Sequence, residues 1–186
     1  MEILTIIFLA LALSADALAV SMCFGISASN EDKTKTALKA GAFFGLFQAV
    51  MPLIGWTAGY YAKNIIENYD HWLAFGLLFF IGSRMIYQAI KKNDCKTFDT
   101  NSIWIMLSLS IATSIDALAV GLSLALIKMP VLLSVSIIGF TTFLLSFAGV
   151  LVGKKFYKLL GNKAEYAGGI ILICIGVKII IEHLSV

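Results

Sequence analysis

The sequence predicts an all-α integral membrane protein whose six transmembrane helices form two inverted three-helix repeats. Three observations lead to this fold class. The chain of 186 residues is 60% hydrophobic and has a mean hydropathy of +0.93. Its charged residues make up 13% of the chain, about half the share that is usual in a soluble domain. A segment that reads ALSADALAV at 12–20 recurs as ATSIDALAV at 112–120.

Six apolar runs are long enough to cross a bilayer, at about 20 residues per crossing. These runs are residues 3–25, 37–61, 72–90, 103–127, 131–153 and 166–184. Together they occupy most of the chain, so residues 1–186 are expected to form a single transmembrane domain.

Lysines are concentrated in alternate loops between these runs. The basic loops contain Lys33, Lys35 and Lys39, then Lys91, Lys92 and Lys96, then Lys154, Lys155, Lys158 and Lys163. The other loops contain only Lys63 and Lys128. By the positive-inside rule, the basic loops are predicted to be cytoplasmic and both termini to lie outside. Such lysines keep a loop on the cytoplasmic side far more often than they bind nucleic acid. The expected partner is therefore the lipid bilayer, and no nucleic acid is expected.

An internal repeat relates the two halves, about 1–92 and about 101–186. An offset of 100 aligns the first runs of the halves and places Asp16 against Asp116. An offset of 94 aligns Gly45, Gly55, Gly59 and Gly82 with Gly139, Gly149, Gly153 and Gly176. Each half crosses the membrane an odd number of times, so the second half enters from the opposite side. Inverted repeats with a substrate site near the midplane are common in secondary transporters.

Asp16 and Asp116 lie near the middle of their runs, where a charge costs roughly 2.5–3.5 kcal/mol. Ser14 and Ser114 precede them by two positions, and their hydroxyls would become ligands where the helix unwinds. Carboxylate and hydroxyl oxygens suit Mg²⁺, Ca²⁺ or Mn²⁺ better than soft metal ions. We therefore predict an ion site, the alternative being a structural pair of protonated, hydrogen-bonded aspartates.

Further polar residues occur inside the apolar runs. Gln48 lies four residues before Pro52 and aligns with Thr142. Both are candidate ligands of the same site, and the alternative role is interhelical hydrogen bonding. Arg84 aligns with Lys178. These cations would either balance the aspartates in an empty site or extend to the membrane interface.

On these motifs the chain resembles the bacterial MntP family of manganese efflux pumps, within the LysE-like group of small six-helix exporters. The resemblance covers essentially the whole chain and is most specific at residues 14–17, 114–117, 52–56 and 82–85. It implies Mn²⁺ export across the bacterial cytoplasmic (inner) membrane, with Asp16 and Asp116 as the functional carboxylates. Members of the family carry a glutamate where this chain has Gln48, which implies a site with one negative charge fewer.

The sequence contains no nucleotide-binding motif, so transport is expected to be driven by an ion gradient, as in a secondary transporter. We predict that the protein exchanges its substrate Mn²⁺ for protons. No enzymatic activity and no cofactor are expected. The alternatives are export of another divalent cation, or of a small organic cation or amino acid bound by Arg84. A thiol-redox carrier is disfavoured because Cys23 aligns with Ser123. A membrane scaffold would leave the repeated aspartates unexplained. The sequence leaves homo-oligomerisation open.

Overall fold

The computed structural model describes residues 2–66, 70–90, 99–100, 102–126 and 130–184. Within these residues the chain is helical and contains no strand. The helices are α1 (Glu2–Ser27), α2 (Lys33–Ile66), α3 (Asp70–Ile90), α4 (Ile103–Thr113), α5 (Ile115–Leu126) and α6 (Val131–Leu184). The basic loop residues Lys91, Lys92 and Lys96, and also Lys128, lie outside the described part of the chain.

Four segments of these helices are long and apolar enough to cross a membrane. They are Ile3–Ser27, Lys33–Tyr61, Ile103–Ala125 and Val131–Gly153. Two shorter apolar segments, Ala74–Tyr87 and Tyr166–Ile181, correspond to the third and sixth predicted runs. The large side chains on the outer surface are mostly apolar or aromatic, among them Leu4, Phe80 and Trp104. Such a surface suits lipid rather than water.

The fourth predicted run, 103–127, is not one continuous helix, because it breaks at Ser114 between α4 and α5. Ser114 has φ −106° and ψ 4°, and its N–H donates to the carbonyl oxygen of Ile111 at 3.1 Å. Its hydroxyl donates to the carbonyl oxygen of Ser110 at 2.6 Å. The backbone bond to Ile111 spans three residues instead of the four of an α-helix, and α4 ends there. At its other end, α4 begins with Ser102 as N-cap, whose hydroxyl accepts from the N–H of Ile105 at 3.4 Å.

The fifth and sixth predicted runs belong to one helical element, α6, of 54 residues. Its first arm (Val131–Gly153) and second arm (Tyr166–Ile181) run in opposite directions along α1. From Gly149 to Gly153 the contacts move from Leu18 to Met22 of α1. In the second arm they move back along α1, because Gly168 lies against Ala12 and Lys178 bonds Thr5. The chain therefore folds back between Gly153 and Gly168, as two separate spans would.

Glycines set how closely the helices approach. A Cβ built on Gly55 would overlap the carbonyl oxygen of Leu118, so the backbones of α2 and α5 touch. The same arrangement joins the first arm of α6 to α1. The corresponding contacts are Gly55 with Leu118, Gly59 with Leu122, Gly149 with Leu18 and Gly153 with Met22. Small residues at helix interfaces permit this close packing in membranes.

Two antiparallel contacts complete the bundle. A Cβ on Gly45 of α2 would lie 2.9 Å from the carbonyl oxygen of Gly139 in the first arm of α6. Gly82 of α3 and Gly169 of the second arm face one another in the same way, at 2.6 Å. The centre of the molecule is therefore enclosed by α1, α2, α5 and the first arm, with α3 and the second arm packed beside them.

We expect Gly55→Ala to lower the free energy of unfolding by about 1–3 kcal/mol, because the added methyl group must displace the α5 backbone. Gly76→Ala is the matched control, since a Cβ at Gly76 meets nothing within 4 Å. The control should be as stable as the parent chain or up to about 1 kcal/mol more stable, through its better helix propensity. Thermal unfolding in detergent measures both. Equal stability of the two variants would contradict the close approach of α2 and α5.

Candidate ion site

The break at Ser114 places Asp116 in the first turn of α5. One carboxylate oxygen, Oδ1, accepts a hydrogen bond from the N–H of Ala117 at 2.7 Å. The other oxygen, Oδ2, is buried and has no hydrogen-bond partner among the described residues. The side chain as a whole is 7% exposed. The N-terminus of α5 carries a partial positive charge that favours the carboxylate there.

Asp16 lies on the unbroken helix α1 and is partly buried. Its Oδ1 atom is fully buried and likewise has no hydrogen-bond partner in the described part of the chain. The carboxylates of Asp16 and Asp116 lie within electrostatic range of one another, and the guanidinium of Arg84 is within range of both. The two repeated aspartates are therefore close enough to interact electrostatically, although neither forms an ion pair within the described residues.

Gln48 connects α2 to α1 beside these aspartates. Its amide nitrogen Nε2 donates to the carbonyl oxygen of Leu13 at 2.9 Å, three residues before Asp16. The side chain is fully buried, and its Oε1 atom has no donor among the described groups. Its own backbone carbonyl also loses the usual helical donor, because Pro52 four residues later has no N–H.

The three predicted hydroxyl ligands are bonded within the protein. The hydroxyls of Ser14 and Thr142 share a hydrogen bond of 2.8 Å, which joins α1 to the first arm of α6. Ser14 also donates to the carbonyl oxygen of Ala10 at 2.6 Å, and Ser114 caps α4 as described above. Of the six predicted residues, Asp16, Gln48 and Asp116 thus retain an oxygen atom without a partner, whereas Ser14, Ser114 and Thr142 do not.

The second predicted cation is separate from the aspartates. Lys178 donates to the hydroxyl of Thr5 at 3.1 Å and lines a cavity of about 420 Å³ between α1 and the second arm. The other lining residues are almost all apolar. Arg84 is exposed on the surface of α3 while remaining in electrostatic range of the carboxylates.

Two buried hydroxyls that sequence reasoning missed also lack partners. They belong to Ser21 of α1 and Ser146 of the first arm, and both residues are fully buried. Comparison of the two halves did not single them out, because the residues aligned with them are Gly121 and Pro52, which have no hydroxyl. The available signal was the presence of serines within the apolar runs 3–25 and 131–153.

The arrangement offers oxygen atoms only. Two carboxylates and one amide carbonyl contribute unpaired oxygens from α1, α2 and α5. The described residues contain no group of three or more His, Cys, Asp or Glu that could hold a metal ion. A cation here would be one that accepts few anionic ligands and keeps some water, which is the behaviour of hard divalent ions.

The fold defines a helical membrane protein with several apolar spans, and its buried interior contains two carboxylates and an amide with unpaired oxygen atoms. A family model described as "Mntp: Putative manganese efflux pump" matches residues 31–180 of the chain. The chain belongs to this family, which confirms the resemblance seen in its motifs. No solved structure matches it significantly.

Individual relatives match along the whole length. A protein of Gloeothece citriformis (strain PCC 7424) is 49% identical over 186 residues, covering 100% of this chain and 98% of the relative. One of Crocosphaera subtropica (strain ATCC 51142 / BH68) is 49% identical over 185 residues, covering 99% of this chain and 98% of the relative. One of Clostridium perfringens (strain 13 / Type A) is 42% identical over 208 residues, covering 100% of this chain and 97% of the relative. Each is described as "Putative manganese efflux pump MntP".

In a chelator and at a pH alkaline enough to remove both protons, Asp116→Asn should raise the free energy of unfolding by about 1 kcal/mol, because it removes a buried charge that faces Asp16 without a cation. Ser14→Ala should lower it by about 1–3 kcal/mol, because Thr142 loses its buried partner. Thermal unfolding of both variants measures the two effects. A loss of stability in Asp116→Asn as large as that in Ser14→Ala would show that the aspartates are structural rather than poised for a ligand.

Proposed function

We propose that the chain exports Mn²⁺ across the bacterial cytoplasmic membrane as a secondary transporter. The observation that carries the proposal is the set of unpaired buried oxygens on Asp16, Gln48 and Asp116. Buried polar atoms without partners are rare in proteins and call for a missing group. Membership of the manganese efflux family identifies Mn²⁺ as the cation that would complete them.

The architecture in this proposal is two inverted three-helix repeats, about 1–92 and about 101–186, within a single transmembrane domain. The matched contacts of the two helix pairs support it. Gly55 packs on Leu118 as Gly149 packs on Leu18, and these residues are related by the sequence offsets of 94 and 100. The contact between Gly45 and Gly139 joins two positions that the same repeat relates to each other, as expected close to a pseudo-two-fold axis.

The proposed orientation has both termini outside and the basic loops in the cytoplasm. The positive-inside rule supports this, and in the described part of the first basic loop Lys35 is exposed, 3.7 Å from Asp32. The C-terminal end of α1 and the N-terminal end of α2 then face the cytoplasm. Manganese would reach the aspartates from this side.

In the proposed mechanism, Oδ1 of Asp16, Oε1 of Gln48 and Oδ2 of Asp116 bind the ion directly, and water supplies its remaining ligands. The α4 C-terminus beside the site adds the negative end of a helix dipole, as the broken helices of transporters do. The two carboxylates neutralise the charge of a divalent cation. Arg84 then favours departure of the ion, because its positive charge is uncompensated while Mn²⁺ occupies the carboxylates.

Protons are the proposed coupling ion. Moving a divalent cation outward against an inside-negative potential of about 100 mV costs about 4.6 kcal/mol. Two protons carried inward in exchange would offset this electrical cost. Asp16 and Asp116 each have room for one proton on an oxygen atom that has no other partner. The same residues would therefore carry the cation outward and the protons inward.

Gln48 distinguishes this site from a site with three carboxylates. A neutral amide oxygen binds a divalent cation less strongly than a carboxylate, so the negative charge at the ion comes from the two aspartates alone. Competition by Mg²⁺, Fe²⁺ or Cd²⁺ in a transport assay would show how far the site discriminates among divalent cations.

Asp116→Asn should abolish Mn²⁺ efflux, because an amide cannot supply the second negative charge to the ion. Efflux is measured as intracellular manganese in a metal-sensitive bacterium under manganese load, at matched membrane expression. The control is Asp32→Asn, which removes an exposed carboxylate and should leave efflux intact. If cells that express Asp116→Asn keep manganese as low as cells that express the parent chain, the proposed ion site is wrong.

Proton coupling predicts that an inward proton gradient accelerates Mn²⁺ efflux. In proteoliposomes loaded with Mn²⁺, acidifying the outer solution should increase the initial rate, and a protonophore should abolish the increase. With the membrane potential clamped, a rate that does not respond to the pH gradient would exclude proton exchange while leaving manganese efflux itself in place.

A further inference from the structure

The cavity of about 420 Å³ between α1 and the second arm of α6 opens to the outer surface of the bundle. Its lining is mostly apolar, and the apolar residues Leu4, Phe8 and Ile170 are exposed at the same time. Thr5 and Lys178 give the lining one hydroxyl and one ammonium group. Because the outer surface of a membrane-spanning bundle faces lipid, the cavity is accessible from the bilayer.

The two polar groups lie together at one end of this cavity. The ammonium of Lys178 donates to the hydroxyl of Thr5 at 3.1 Å, so both groups are at the same depth. Thr5 is about 4.5 Å along the helix axis from the start of α1 at Glu2, and Lys178 is about 9 Å from the end of α6 at Leu184. Ile170 lies about 12 Å deeper than Lys178. The cavity therefore has a polar rim near the helix ends and an apolar interior that extends toward the membrane centre.

Lys178 does not share the surroundings of Arg84, the residue aligned with it in the repeat. The guanidinium of Arg84 acts on the carboxylates of both Asp16 and Asp116, whereas the charge of Lys178 does not act on either, within the part of the chain that the structure describes. The proposed ion site therefore gives no reason for a cation at Lys178.

The lining also differs from that of the equivalent helix pair, α4 and α3. Thr5 aligns with Ile105, and Cys174 aligns with Phe80. The equivalent pair thus has an aliphatic group in place of the hydroxyl at the rim and a large ring in place of the small thiol in the wall. The polar rim and the space beneath it are therefore not a simple consequence of the repeat.

We propose that this cavity binds one phospholipid from the surrounding leaflet, with the lipid phosphate at Lys178 and Thr5 and one acyl chain along Phe8 and Cys174. The ammonium group complements the charge of the phosphate, and the threonine hydroxyl can supply a second hydrogen bond. Lipid tails are as apolar as the walls, so selectivity comes from the headgroup. In the proposed orientation, the lipid belongs to the outer leaflet.

Native mass spectrometry of the purified chain, titrated with phosphatidylglycerol, tests the site. The parent chain should bind a first lipid more tightly than later ones. Lys178→Ala should weaken this first step about tenfold, because a charge-assisted hydrogen bond to the phosphate is lost. Lys178→Arg keeps the charge and should stay within about threefold of the parent. Cys174→Phe introduces the ring of the aligned residue into the wall and should abolish the tight first step while Lys178 is intact.

Lys163→Ala is the control for charge, because Lys163 is an exposed lysine of α6 outside the cavity lining. It should bind the first lipid as the parent chain does. Cys174→Ser is the control for size and should also bind normally. Thermal unfolding provides a second measurement, since a ligand that binds only the folded chain raises its Tm. Phosphatidylglycerol should raise the Tm of the parent and of both controls more than that of Cys174→Phe.

Tight binding of the first lipid that is equal in the parent, Lys178→Ala and Cys174→Phe would overturn the proposal. Dimers that Cys174→Phe disrupts, with lipid binding unchanged, would assign the cavity to a second copy of the chain and overturn it as well. Loss of the tight step in Lys178→Ala and Cys174→Phe, with recovery in Lys178→Arg, supports the lipid site. None of these results depends on Mn²⁺ transport, so the lipid site and the proposed function are tested separately.

Discussion

Membrane depth imposes one constraint on which the rest of this structure depends: every buried polar atom needs a partner within the protein or from a ligand. The helices satisfy their backbone groups, and most buried serines bond their own helix. The exceptions among the described residues are side-chain oxygens of Asp16, Ser21, Gln48, Asp116 and Ser146. All five lie on the helices that enclose the centre. In the proposed function, a transported cation supplies the missing interaction at Asp16, Gln48 and Asp116.

Close packing of the helices fixes the positions of these unpaired oxygen atoms. Glycines bring α5 onto α2 and the first arm of α6 onto α1, with backbone in contact with backbone. Interfaces packed this tightly transmit a displacement instead of absorbing it. The two seams differ at one pair of aligned positions, where one has the buried hydroxyls of Ser21 and Ser146 and the other has Gly121 against Pro52. A chain built from similar halves thereby acquires two unlike sides.

The asymmetry at the site centres on Gln48 and Thr142, which occupy equivalent positions. Thr142 is short and bonds Ser14 of α1, and α1 is unbroken at this point. Gln48 is longer and bonds the backbone of α1 at Leu13, which leaves Ser114 without a comparable partner. Ser114 bonds Ser110 of its own helix, as Ser14 bonds Ala10, and the helix breaks at Ser114. The break places Asp116 at a helix N-terminus, whereas Asp16 remains inside a helix.

The sequence by itself determined the helical membrane fold, the approximate spans and the family, because apolar runs and a repeated motif are properties of composition and spacing. It also identified Asp16, Asp116 and Gln48 as residues that are costly to bury. Tertiary structure decided which oxygens stay unpaired, where the fourth run breaks and that Ser21 and Ser146 face one seam. The physical reason is that a serine or glutamine has several possible hydrogen-bond partners. The choice depends on which neighbouring helix lies within about 3 Å, which no pattern along one chain specifies.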